Sequence, residues 1–157
     1  MSELVAEPQV FYHVCAHVLR AGHVVRFRAR GESMRPFLYD GDVLTIHPVP
    51  PAAVRRGDVV FYPGDNDRPN AHRVLGLCAA DGETFLLIRG DARDAGWERI
   101  PLRAVEGRVT HAERGGRQFR VDTLWTRAFA LAWLRARPRV RPLRAWLRRR
   151  LPQRTQG

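Results

Sequence analysis

A chain of 157 residues is long enough for one domain with a real core, and its 27 basic and 16 acidic residues leave a formal charge of +11. Every basic residue is arginine, which stays protonated at any ordinary pH, so a lysine or arginine general base is excluded. Asp122 is the last acidic residue and ten arginines follow it, which leaves residues 1–122 near neutral, at 17 basic against 16 acidic.

The opening stretch, MSELVAEPQVFYHV, is acidic and has no unbroken apolar run. It reads as neither secretory signal nor anchor, and a cytoplasmic location is expected. After Pro8, residues 9–20 place Val10, Val14 and Val18, and beside them Phe11, Cys15 and Leu19, at helical spacing, with Gly22 as a stop. This predicts one amphipathic helix. From there to about residue 121 short β-rich segments alternate with turn residues: VVRFRAR (24–30), DVLTIH (42–47), DVVFY (58–62), HRVLGLC (72–78), TFLLIRG (84–90), VEGRVTHAE (105–113) and QFRVD (118–122). Seven strands with no helices between them predict a mainly β domain, an antiparallel or mixed barrel-like sheet. Asp42 and Asp58 suit turn-fixing hydrogen bonds. The two cysteines, Cys15 and Cys78, form neither a disulfide framework nor a metal spacing and read as buried thiols.

Residues 123–157 differ in kind from residues 1–122 and form a basic helical tail. Trp125, Phe129 and Trp133 recur every four residues, as do Leu143, Leu147 and Leu151 beside Trp146, with arginines on the other faces. Pro138 and Pro142 split the stretch into two helices. The longest wholly apolar run, Ala128 to Leu134, falls far short of the roughly 20 residues that span a bilayer. Two readings follow: interfacial helices that dip aromatic faces into lipid while arginines meet anionic headgroups, or a first helix packed on the barrel and a second solvated. Nucleic acid is not an expected partner, because the tail holds no recognisable DNA-binding module.

The stretch GESMRPFLYDGDVL (31–44) sets Ser33 at a corner, with Gly31 behind it and Met34, Arg35 and Pro36 ahead. Its hydroxyl could cap a short helical turn begun by Pro36 and Phe37. That is the plainer reading of the local stretch; the alternative is a nucleophile, and a serine nucleophile needs a neighbouring base. Without lysine, histidine is the natural candidate near neutral pH. His13 and His17 lie four apart on the predicted helix without a third ligand, so they read as a solvated face, and no metal or other cofactor is expected. His47 precedes a proline at a strand end, and His23 and His111 lie in turn-like or exposed settings. His72 opens a strand straight after a polar loop, where a side chain projects from a rigid element.

Four segments in order resemble the boxes of type I signal peptidases. GESMRPFLYDGD resembles their serine box, RGDVVFY the next strand box, AHRVLG the box of the general base, and RGDARD the Gly-Asp box beyond it. Where the bacterial branch and the SOS repressors carry lysine before Arg-Val, His72 precedes Arg73 and Val74, which matches the archaeal and endoplasmic-reticulum branch. The resemblance implies a small signal-peptidase-like β-barrel, with an N-terminal helix and C-terminal amphipathic basic helices added. It implies a serine endopeptidase that removes leader or signal segments from precursor peptides, bound extended along a strand edge. Ser33 attacks the carbonyl, His72 is the base, and Gly31, Met34 and Pro36 support the turn and the oxyanion donor. Asp91 aligns with the Gly-Asp box, which implies structural support or the partner of His72, and Asp94, which matches the usual later aspartate, is its rival for orienting His72. Gly31 stands where some relatives carry a second serine, and Ala92 replaces the usual asparagine. A non-catalytic barrel that holds peptides, or a basic membrane or nucleic-acid adaptor that keeps the boxes for architecture, is the alternative. Self-cleavage like that of the SOS repressors is a weaker third.

Overall fold

The computed structural model describes residues 7–94 and 96–136. Helix α1 (Pro8–Arg20) is followed by eight strands: β1 (Val25–Arg28), β2 (Val43–His47), β3 (Val59–Pro63), β4 (Pro69–Ala80), β5 (Glu83–Arg89), β6 (Glu98–Pro101), β7 (Gly107–Arg114) and β8 (Arg117–Arg120). A second helix, α2, covers residues 124–136. The strands form one antiparallel half-barrel sheet in the order β1-β2-β7-β3-β4-β5-β6, with β8 paired to β7.

β3 explains the layering. Its residues Val59, Val60, Phe61 and Tyr62 are all buried, because the strand is covered on both faces. Val59 and Phe61 join Tyr12, Cys15 and Leu19 of α1 and Leu44, Ile46 and Val109 of the sheet in one core. Val60 and Tyr62 join Val54, Val74, Leu86, Ile88 and Val105 in a second core on the opposite face. An apolar run without alternation is what a strand between two cores requires.

The sequence expectations need correction at several points. α1 buries Tyr12, Cys15, Ala16 and Leu19, while Val10 and Val14 face solvent at 55% and 58% exposure. One helix can bury only one stripe, and the tyrosine-bearing stripe takes the sheet because its hydroxyl donates to Glu106 across the interface at 2.8 Å. Burial pushes the Cys15 thiol up to about 11, so it is inert packing, whereas Cys78 on β4 is only half-buried. β4 starts at Pro69, three residues before His72. The Glu98–Pro101 strand was not among the seven expected.

α2 departs from an ordinary surface helix in having one arginine turned inward and three large apolar residues turned outward. Arg127 turns inward to within 2.7 Å of Asp58, which is fully buried, and its side chain lies against Gly57. Ala130 and Leu134 are also buried, whereas Leu124, Trp125 and Phe129 are 74%, 83% and 65% exposed. The predicted second tail helix, with Leu143, Leu147 and Leu151, lies outside the described residues.

Candidate active site

Ser33 stands on the turn between β1 and β2. Gly31 enters that turn at φ +94°, a conformation that favours glycine, and its N–H donates to Asp40 Oδ1 at 2.8 Å. Met34 and Leu38 are buried in the first core and pin the turn down, and the Met34 carbonyl accepts the N–H groups of Phe37 and Leu38, each at 3.0 Å. Pro36 follows a cis Arg35–Pro36 peptide. No helix forms here, and the Ser33 hydroxyl makes no hydrogen bond among the described residues, so it is not a cap. It is exposed at the rim.

His72 comes from β4 at the place where that strand leaves β3 and takes up β5. Arg73, the next residue, pairs with Val59 of β3 on one side and Arg89 of β5 on the other. Ser33 and His72 meet at Gly90, just beyond β5. A Cβ placed on Gly90 would lie 3.3 Å from Ser33 Cβ, 3.4 Å from His72 Nε2 and only 2.6 Å from the Ser33 carbonyl oxygen. Glycine is thus required by close approach, with the Ser33 side chain and the His72 ring nitrogen both near the same point. The two side chains are not hydrogen-bonded to each other, a distance that commonly tightens only with substrate bound.

The Gly-Asp segment locks this apposition. Ala92 N–H donates to the Ser33 carbonyl at 2.8 Å. Asp91 is fully buried and grips Arg73 with both oxygens, from Nε at 2.8 Å and from the terminal nitrogen at 2.6 Å. Arg73 also donates to the Gly57 carbonyl at 2.8 Å, and its guanidinium lies over the Phe37 ring at 5.2 Å. One ion pair therefore ties β4, the Gly90–Asp91 loop and the Ser33 turn together. Burial raises the Asp91 pKa, and the Arg73 fork and nearby His72 oppose it.

His72 is 7% exposed. Burial, aided by Arg93, lowers its pKa, and the Glu98 and Asp91 charges oppose that shift. A neutral imidazole at neutral pH is the result. Its Nδ1 hydrogen bond goes to the Tyr62 hydroxyl at 2.8 Å, and to neither Asp91 nor Asp94. Asp94 is half-buried in the loop three residues beyond Asp91. Tyr62 and Glu98, whose Oε2 is 3.4 Å from the same hydroxyl, were not among the candidates read from sequence. Asp42 and Asp58 do fix turns, accepting the N–H groups of Tyr39 and Arg55 at 2.8 Å each. His13 pairs with Asp67 at 3.2 Å, and among the described residues no cluster of three or more His, Cys, Asp or Glu side chains could hold a metal.

A cleft of about 560 Å³ runs up to Ser33 from the other side of the turn. Phe27, Phe61, Leu38 and Leu44 floor it, and His72 does not line it. Two strand edges contribute to its lining. Ala29 directs its N–H and C=O at β2, to Asp42 O at 2.7 Å and from Gly41 N at 2.9 Å, so strand alternation leaves those of Arg28 and Arg30 on the open edge. Opposite them, Pro69, Asn70 and Ala71 belong to the part of β4 that pairs only with β3. No protein-family model, curated protein or solved structure matches the chain, so what the site does rests on its own geometry.

Proposed function

We propose that the chain is a serine endopeptidase of the signal-peptidase type, which trims leader or signal segments from precursor peptides through Ser33 and His72. The observation that carries this reading is the convergence of Ser33 and the free Nε2 side of His72 on Gly90. Ser33 Oγ bonds to the peptide carbonyl carbon as Nε2 takes its proton. The tetrahedral intermediate then breaks its C–N bond while the imidazolium returns that proton to the leaving amine. Water attacks the resulting ester, giving its proton to His72, and Ser33 regains it as the carboxylic acid leaves. The Ser33 N–H donates to no described group and is the expected oxyanion donor, worth about 3 kcal/mol.

The cleft supports an extended substrate. A peptide laid between the edges at Arg28–Arg30 and Pro69–Ala71 would add main-chain hydrogen bonds, and Ala29, Gly31 and Ala71 leave room for small side chains close to Ser33. The test is cleavage of precursor peptides with small residues before the cut, with products identified by mass spectrometry. Ser33→Ala and His72→Ala are each expected to abolish turnover with the circular dichroism spectrum unchanged. Peptide binding without cleavage by the parent favours the non-catalytic barrel instead.

A lipid surface is the proposed setting. No helix among the described residues is long and apolar enough to cross a membrane. The exposed Trp125 and Phe129 are interfacial residue types, Phe129 packs edge-on against Phe37 of the serine turn at 6.0 Å, and the sequence after Asp122 holds ten arginines and no acidic residue, with Arg127 alone of the described ones turned inward to Asp58. Sedimentation with phosphatidylglycerol vesicles, lost in Trp125→Ser/Phe129→Ser and absent with phosphatidylcholine, is the expected result. Equal binding by the double variant removes α2 from the contact.

A further inference from the structure

We infer that Tyr62, backed by Glu98, is the residue that positions His72, doing through a phenol what an aspartate does in a Ser/His/Asp triad. This rests on the peptidase reading for its purpose, though not for its geometry. Tyr62 on β3 pairs with Asn70 on β4, and His72 lies two residues further along β4 on the same face, so the two side chains are diagonal neighbours across the ladder. Their rings are 5.9 Å apart and the hydroxyl reaches Nδ1 at 2.8 Å.

A tyrosine hydroxyl has one proton to give, and where it goes decides the tautomer of the histidine. If it were given to Nδ1, the imidazole would carry its hydrogen on Nε2, facing Ser33, and could not act as a base. Glu98 Oε2, an acceptor only, competes for that proton at 3.4 Å. Burial first, and Glu98 next, hold the Tyr62 pKa well above its ordinary value, so the hydroxyl keeps its proton and has Glu98 to pass it toward. The arrangement that satisfies every group is Nδ1–H donating to Tyr62 and Tyr62 O–H donating to Glu98. Nε2 is then left as a lone-pair acceptor facing Ser33 across Gly90.

The aspartate that would otherwise orient the base is engaged elsewhere, since both Asp91 oxygens hold Arg73. The charged groups that act on His72 are Glu98 from β6 and Arg93 and Asp91 from the loop after β5. Glu98 favours the imidazolium, and its removal lowers the His72 pKa further. A relay that ends in a carboxylate also stabilises the imidazolium that forms when Ser33 gives up its proton.

The experiment is NMR of the full chain labelled with ¹⁵N-histidine, in which nitrogen–proton couplings show which His72 nitrogen bears the proton above its pKa. The parent is expected to show Nδ1–H, and Tyr62→Phe to lose that preference. Glu98→Gln should move the His72 titration to lower pH. In cleavage assays Tyr62→Phe should lower kcat about tenfold or more, with KM little changed, since general-base catalysis is worth roughly 10²–10⁴. An Nε2–H parent, or a tautomer unaltered in both variants, overturns the inference. If the parent shows Nδ1–H but Ser33→Ala leaves cleavage intact, the peptidase reading fails while the hydrogen-bonded relay stands.

Discussion

Replacing Gly90 by alanine places a methyl carbon 2.6 Å from the Ser33 carbonyl oxygen, closer than real Cβ contacts come. The obstructing atom is backbone, and it already accepts the Ala92 N–H at 2.8 Å, so the turn that carries Ser33 must retreat and strain that bond. The same methyl stands 3.3 Å from Ser33 Cβ and 3.4 Å from His72 Nε2, against both side chains of the proposed pair. Overpacking of this kind costs about 1–3 kcal/mol, which lowers the Tm of a domain this size by roughly 3–10 °C. Activity suffers more, because a displacement of about 1 Å between reacting groups costs on the order of 100-fold. Gly76→Ala is the control: it lies in β4 with an ordinary φ, and its methyl would meet only Leu87 Cδ1 at 3.9 Å. Peptide cleavage and a thermal melt on both variants decide the matter. A Gly90→Ala protein as active as Gly76→Ala would refute the convergence of Ser33 and His72 at this point.

The pH profile follows from the lowered pKa of His72. Only the neutral imidazole is a base, so kcat/KM is expected to rise with pH through a midpoint below 6.5, the ordinary histidine value, and Glu98→Gln should move that midpoint lower still. The same depression makes His72 contribute stability that is fully present above 6.5 and lost as pH falls through the folded-state pKa, measurable by urea melts across that range. Arg73→Met removes the two-pronged partner of buried Asp91 and should cost about 3–5 kcal/mol, with much of the loss recovered in Arg73→Met/Asp91→Leu. If Asp91→Asn instead abolished cleavage at unchanged stability, Asp91 would be the partner of His72 rather than of Arg73. Arg127→Met removes one of two arginines from buried Asp58 and should cost about 1–3 kcal/mol, with hydrogen exchange rising in residues 124–136 before it rises in the sheet.

Much of this fold is legible in the chain because β2, β3 and β5 are runs rich in β-branched, aromatic or aliphatic residues bounded by turn residues. Glu98–Pro101 is not: ERIP is short and polar and ends in proline, and it becomes a strand only by pairing with Phe85–Ile88 of β5. Periodicity placed α1 within a residue of its true start, yet could not choose between its two apolar stripes, since that choice depends on Glu106 lying ninety-four residues downstream of Tyr12. For α2 the spacing of Trp125 and Phe129 marks a face without saying which way it points. The answer lies with Asp58, which draws Arg127 inward. Ser33 and His72 stand out because their chemistry is conspicuous in a lysine-free chain. Tyr62 does not, since within VVFY it looks like any core aromatic. Only the β3–β4 register, with Tyr62 opposite Asn70, brings its hydroxyl to the imidazole.

The central claim is that Ser33 Oγ becomes the acyl acceptor, and a peptide ester substrate tests it most directly because acylation then outruns hydrolysis. Rapid acid quench should show a burst of alcohol equal to the enzyme present, with the acyl group mapped to Ser33 and the burst lost in His72→Ala. Turnover of the same ester undiminished in Ser33→Ala, or an acyl group carried on another residue, would contradict it.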